Sequence, residues 1–140
     1  GLVVNIDNTN INSFKDLEGK RIGVSIGSTG AEIASKIPNA DVRVFNAINE
    51  AFLELNNGGV DAAINDIPTN AYYVSHSNNE NVRVADLALT KEDLAIAVDK
   101  GNDELLKKID SGLAKIKANG EFAAIYKKWF GEEPPAELLN

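Results

Sequence analysis

The sequence has no cysteine and no methionine, and only one tryptophan and one histidine. Without cysteine there can be no disulfide, no thiolate nucleophile and no thiolate metal site. A single histidine, His76, cannot build a relay or a zinc site without partners. It stands near a helix end among polar residues and reads as a solvated C-terminal position. Long apolar runs are missing too, and none approaches the roughly 18 residues that a membrane-spanning helix needs. Positive charge is scarce, with 14 Lys and Arg against 21 Asp and Glu and a net charge of −7. Nucleic acid and anionic membrane surfaces are therefore poor partners. No nucleophile–base pair with a recognisable spacing occurs, and no metal or cofactor is expected.

What remains is ordinary globular material. Hydrophobic residues make up 44% and charged residues 25% of 140 residues, enough for one domain. The chain opens directly on an apolar stretch, Leu2-Val3-Val4. The expectation is that a signal peptide has been removed from a precursor or that this is a piece of a longer protein.

Strand-like β-branched runs are expected at Leu2 to Ile6, Arg21 to Val24, Val42 to Phe45, Val60 to Ile64, Val82 to Val84 and Ala95 to Val98. Helical spacing is expected after Gly30 up to Pro38, over Ile48 to Leu55 and over Ile67 to Val74. Two more helices are expected at Asp103 to Ala118 and Phe122 to Phe130. The first of these carries an apolar stripe of Leu105, Leu106, Ile109, Leu113 and Ile116. Tyr126, Trp129 and Phe130 on the second read as core. Ser13 with Asp16 reads as the start of a one-turn helix. Asn78 to Asn81 reads as a loop and Lys91-Glu92-Asp93 as a charged surface turn. Strands alternate with helices from Arg21 to Val74, which argues for an α/β fold with a mainly parallel sheet flanked by helices.

Two segments could hold a ligand. Gly27-Ser28-Thr29-Gly30 lies between a strand and a helix. Backbone N–H groups at a helix start are unpaired, and Ser28 and Thr29 add hydroxyls, so the turn suits a carboxylate or phosphate. No Lys follows the glycine, which excludes a nucleotide P-loop. The same residues also read as a plain βα turn with a helix cap. Asn65-Asp66 ends the apolar run Val60 to Ile64, so a carboxylate there could meet an ammonium group. Asp66 equally reads as the cap of the helix that Ile67-Pro68 begins. Together, on one sheet edge, the two segments would match a zwitterion.

Five stretches in order carry a family resemblance. They are Phe14-Lys15-Asp16-Leu17-Glu18-Gly19-Lys20-Arg21-Ile22-Gly23-Val24, Gly27-Ser28-Thr29-Gly30, Gly59-Val60-Asp61-Ala62-Ala63-Ile64-Asn65-Asp66, Ile96-Ala97-Val98-Asp99-Lys100-Gly101-Asn102, and Asn119-Gly120-Glu121-Phe122 with Ile125-Tyr126-Lys127-Lys128-Trp129-Phe130-Gly131. The chain resembles the polar-amino-acid solute-binding proteins of ABC importers, the glutamine-binding members most of all. The resemblance implies a periplasmic-binding-protein-like lobe with the first lobe largely missing. It implies that residues 7–94 form the second ligand-binding lobe and that 1–6 and 95–98 are hinge strands. Residues 99–140 would be C-terminal helices that normally pack on the first lobe. It implies that Gly27, Ser28 and Thr29 hold a ligand α-carboxylate, that Asp66 holds the α-ammonium, and that Ile26 and Asn65 shape the pocket. The sequence departs from many relatives in having Leu94-Ala95 before Ile96 and Ser25 where many glutamine binders have Lys.

By the same resemblance the protein is a binder and not an enzyme. Its partners would be an amino acid, glutamine favoured, and a membrane permease. Its place would be the periplasm or the outer face of the cell membrane, where a lipid anchor would fit. A sensory receptor domain and a dehydratase-like enzyme on the same fold are the alternatives. The unpartnered stripe of the long C-terminal helix implies that the helix either folds back onto the surviving lobe or, the favoured reading, is exchanged between two copies in a homodimer.

Overall fold

A computed structural model of the chain describes residues 1–76, 81–86, 90, 92–131 and 133–139. The chain divides into two compact units, Gly1–Lys91 and Glu92–Asn140. In the first unit the elements run β1 (Leu2–Asn5), a one-turn helix (Phe14–Leu17), β2 (Arg21–Ser25), α1 (Thr29–Ala34), β3 (Asp41–Phe45), α2 (Ile48–Asn56), β4 (Ala62–Ile64), α3 (Ile67–His76) and β5 (Val82–Asp86). The second unit holds α4 (Asp103–Ala118), α5 (Glu121–Phe130) and a closing one-turn helix (Ala136–Leu138).

The five strands lie in the order β3-β2-β4-β1-β5. β2 pairs in parallel with β3 and with β4. β1 pairs antiparallel with both β4 and β5. β2, β3, β4 and β5 therefore share one direction and β1 alone runs against them, so the sheet is mainly parallel in strand direction. The period-two alternation of each strand divides the core between the two faces. Leu2, Val4, Ile22, Val24, Ala62 and Ile64 pack on one face with Ala34 of α1. Val3 and Ala63 pack on the other with Phe52 and Leu55 of α2 and with Tyr73 and Val74 of α3. Strands buried on both faces are apolar throughout, which is why β4 reads simply as Ala62-Ala63-Ile64.

β2 and β4 come from segments 40 residues apart, and an ion pair ties the first residue of β2 to the residue just before β4. Arg21 Nε and Nη2 donate to the two carboxylate oxygens of Asp61 at 3.1 and 2.6 Å, and the Arg21 backbone N–H donates to Asp61 at 2.9 Å. The Arg21 side-chain hydrogen bond is the main reason the Asp61 carboxyl sits below its ordinary pKa. A carboxyl whose folded pKa is depressed stabilises the fold fully above its unfolded pKa, and that contribution fades as pH falls through the folded value. Asp16 has the same sign. The N–H groups of Asn12 and Ser13 and the Ser13 hydroxyl donate to its carboxylate at 3.0, 2.9 and 3.0 Å, and its pKa is lowered. Both side chains of the Arg21–Asp61 pair are about a third exposed, so the solvent-screened contribution is small. Asp61→Asn is expected to cost about 1 kcal/mol at neutral pH. The difference from wild type should shrink below about pH 4, where an unfolded Asp carboxyl protonates. Urea unfolding at pH 7 and pH 3 reads this directly; an equal difference at both values would mean the pair adds nothing ionic.

Several expectations need correcting. Ala95 to Val98 forms no strand, and the segment is exposed, with Leu94 at 78% and Ile96 at 59%. A strand needs a neighbouring ladder for its N–H and C=O groups, and no described strand pairs with these residues. Tyr126, Trp129 and Phe130 do not form a buried core. Tyr126 meets Phe122 at a tilt and Phe130 edge-on along α5, which packs on α4, while Trp129 stays 46% exposed. The apolar stripe of α4 is open, as expected, with Leu105 and Leu106 each 41% exposed. His76 is, as expected, an exposed residue at the end of a helix, α3, and it stacks on Tyr72. Most of the expected loop at Asn78 to Asn81, and Lys91 of the charged turn, lie outside the described residues.

Candidate functional site

The helices following β2 and β4 leave the sheet on opposite faces, α1 against Ile22 and Val24 and α3 against Val3 and Ala63. Because β2 and β4 are parallel neighbours, the loops at their carboxyl ends lie side by side where the connections part to opposite faces of the sheet. Such a switch point is where open α/β sheets bind ligands. The two loops are Ile26-Gly27-Ser28 with Thr29 at the start of α1, and Asn65-Asp66 before α3. Every site residue expected from the sequence therefore lies on one edge of the sheet. Contact between the loops is direct: a Cβ on Gly30 would stand 2.9 Å from the carbonyl oxygen of Ile64. Only glycine lets the first turn of α1 approach the end of β4 this closely.

Gly27 turns the chain at φ +67°, in the region that favours glycine. The Ile26 N–H is held by the Phe45 carbonyl at 2.8 Å. The backbone N–H groups of Gly27 and Gly30 have no hydrogen-bond partner among the described residues. They are two donors left over at the head of a helix, where a bound carboxylate would satisfy them. Thr29 is exposed beside them.

Ser28 follows the helix-cap reading. Its hydroxyl donates to the Ser25 carbonyl at 2.8 Å and accepts from the Ala31 N–H at 3.1 Å. The helix start takes it as an N-cap, so its proton is committed inside the loop and it shapes the turn. Donors for an anion are then the backbone N–H groups of Gly27 and Gly30.

For Asp66 the helix-cap reading fails. The residue precedes α3, but its carboxylate makes no hydrogen bond or ion pair among the described residues. One reason is that Pro68, in the first turn, has no N–H to give. The side chain is exposed and negative, with its cap role unfilled. No other residue of Ile26–Thr29, Asn46–Ala47 or Asn65–Asp66 carries a charge. The edge thus offers free N–H donors on one loop and a lone carboxylate on the next. Among the described residues no group of His, Asp and Glu could hold a metal ion.

Sequence reading missed one residue here. Asn70 of α3 is fully buried, and its Nδ2 donates to the Asn65 carbonyl at 3.0 Å. A polar residue inside an otherwise amphipathic helix was the only available signal.

The fold and this edge define one lobe of an α/β ligand-binding protein. The chain belongs to the bacterial extracellular solute-binding proteins, family 3, whose pattern it matches over residues 2–132. It is 37% identical over 127 residues to an ABC transporter glutamine-binding protein of Bacillus subtilis, covering 89% of this chain and 45% of that protein. It is 28% identical over 124 residues to an L-cystine-binding protein of Escherichia coli, covering 88% and 46%. Among solved structures it is similar to an ancestral arginine-binding protein bound to glutamine, with a TM-score of 0.78, 39% identity and coverage of 94% and 59%. It is also similar to an ancestral amino-acid-binding protein described as a precursor of cyclohexadienyl dehydratase, with a TM-score of 0.80, 36% identity and coverage of 92% and 56%. The chain spans about half the length of the curated relatives it matches.

Proposed function

We propose that this chain supplies one face of an amino-acid-binding site in the solute-binding component of an ABC importer, acting as a binder and not an enzyme. The observation that carries the reading is the pairing, across one switch point, of unclaimed N–H groups at Gly27 and Gly30 with the unclaimed carboxylate of Asp66. A zwitterion fits this polarity: its carboxylate takes the Gly27–Gly30 turn, and its ammonium takes Asp66. Ile26, 67% exposed on the same turn, and Asn65 lie where a side chain could be contacted.

Glutamine is the favoured ligand, supported by the glutamine-binding relative; arginine and cystine are the competing choices that the other relatives' names suggest. The proposal includes a membrane permease as partner and a location in the periplasm or at the outer face of the membrane. It also includes exchange of C-terminal helices between two copies, motivated by the exposed stripe of α4. A monomer in light scattering at high concentration would remove that last element.

A thermal-shift screen of the twenty amino acids against the full-length protein tests the central reading. A rise in melting temperature is expected with L-glutamine, or with L-arginine if the side-chain preference is cationic. No shift with any amino acid would overturn it. Turnover of a carboxylic acid such as a cyclohexadienyl substrate would favour the enzyme alternative.

A further inference from the structure

Asn70 is the one fully buried polar side chain among the described residues. Its Nδ2 donates to the Asn65 carbonyl at 3.0 Å, and its backbone N–H donates to the Asp66 carbonyl at 3.0 Å. Its Oδ1 is buried with no partner. A buried acceptor without a hydrogen bond costs free energy that a leucine, with the same branching, would not. Packing therefore does not explain an amide at this position. What the amide does accomplish is local. It grips the carbonyl of the residue that leads out of β4. The N–H of the same residue donates to the Gly1 carbonyl at 3.2 Å, and the Gly1 amino nitrogen shares the Asn65 carbonyl at 2.9 Å. Asn65 is thus held on both sides, directly before Asp66.

That grip matters because nothing holds the Asp66 side chain itself. Its carboxylate has no hydrogen bond or ion pair among the described residues, so its placement is inherited from the backbone beneath it. Two bonds from Asn70 reach this turn, the helix bond of its backbone N–H to the Asp66 carbonyl and the side-chain bond to the Asn65 carbonyl, and only the second depends on the amide. We propose that Asn70 is a positioning residue: it locks the β4–α3 turn so that Asp66 meets the ligand ammonium without a cap bond of its own. The inference rests on the reading of Asp66 given above. It adds that a buried amide behind the site sets affinity while adding little to the stability of the fold. The arrangement has a physical logic. A cap bond to Asp66 would orient the carboxylate but also consume part of its capacity to accept from an ammonium. Clamping the backbone from behind leaves all of that capacity to the ligand.

The experiment is a double-mutant cycle in the full-length protein, with L-glutamine and L-arginine as titrants in calorimetry and NMR titration for the weak variants. Asn70→Leu should lower affinity about tenfold or more, as expected for residues in one hydrogen-bond network. Its melting temperature without amino acid should stay near wild type or rise, since the unpaired Oδ1 is gone. In an Asp66→Ala background Asn70→Leu should cost almost nothing further, because the carboxylate it positions is absent. An Asn70→Leu affinity within twofold of wild type, or losses that multiply in the double variant, would overturn the positioning role while leaving Asp66 in place. An Asp66→Ala variant that binds like wild type would overturn the site reading and this inference together. If Asn70→Leu does not fold, Asn70→Ala replaces it in the cycle with the same expected coupling.

Discussion

Asp66→Ala in the full-length protein is expected to weaken amino-acid binding by more than a hundredfold. Asp66 is the only charged residue on the three loops at the carboxyl ends of β2, β3 and β4. Its carboxylate has no partner among the described residues, so its removal should leave the melting temperature without ligand nearly unchanged. The cost falls on the complex. An ammonium enclosed against this edge would lose its counter-charge, and breaking a buried ion pair on one side costs about 3–5 kcal/mol. Asp66→Asn should recover part of the loss, since the amide oxygen still accepts a hydrogen bond but brings no charge. Calorimetry that finds less than a tenfold change for Asp66→Ala would take the ammonium away from this residue.

The second large effect concerns this chain alone. Residues 1–140 by themselves are expected to bind L-glutamine and L-arginine no more tightly than about 1 mM, near −4 kcal/mol. Ile26, Gly27, Thr29 and Asp66 are all exposed at the sheet edge. A ligand held there would keep much of its hydration, and charge interactions in high dielectric are worth little. The chain spans about half the length of its curated relatives, so further contacts and the exclusion of water would have to come from elsewhere in the full-length protein. Titration by NMR would decide it; micromolar saturation by the isolated chain would show that this edge is a complete site.

Much of the architecture was legible before any coordinates. β2, β3, α2, α3 and α4 fall within two residues of their expected bounds. Each of these elements declares itself locally, through two-residue or helical spacing and through stops such as Asn57-Gly58-Gly59. The pairing of loops 27–30 and 65–66 on one edge was also legible, since both follow strands at their carboxyl ends. Their chemistry was legible only in part. Ser28 and Asp66 both looked equally fit to cap a helix or to bind a ligand. The structure divides the roles: Ser28 caps α1, and Asp66, with Pro68 behind it, does not cap α3.

The amino-acid sequence by itself determined the elements, the α/β class and the two loops that carry the candidate chemistry, because these depend on neighbours a few residues apart. Tertiary structure alone decided that β4 inserts beside β2, that β1 runs against the other strands, and that Arg21 grips Asp61 across 40 residues. It also decided that Ala95 to Val98 is no strand, that Ser28 spends its hydroxyl within its own loop, and that a buried Asn70 stands behind an unclaimed Asp66. Each of these depends on which partner is within hydrogen-bond reach once the chain has folded. Residue type and local spacing say what a group can donate or accept; only the folded geometry says whether that capacity is used inside the protein or left for a ligand.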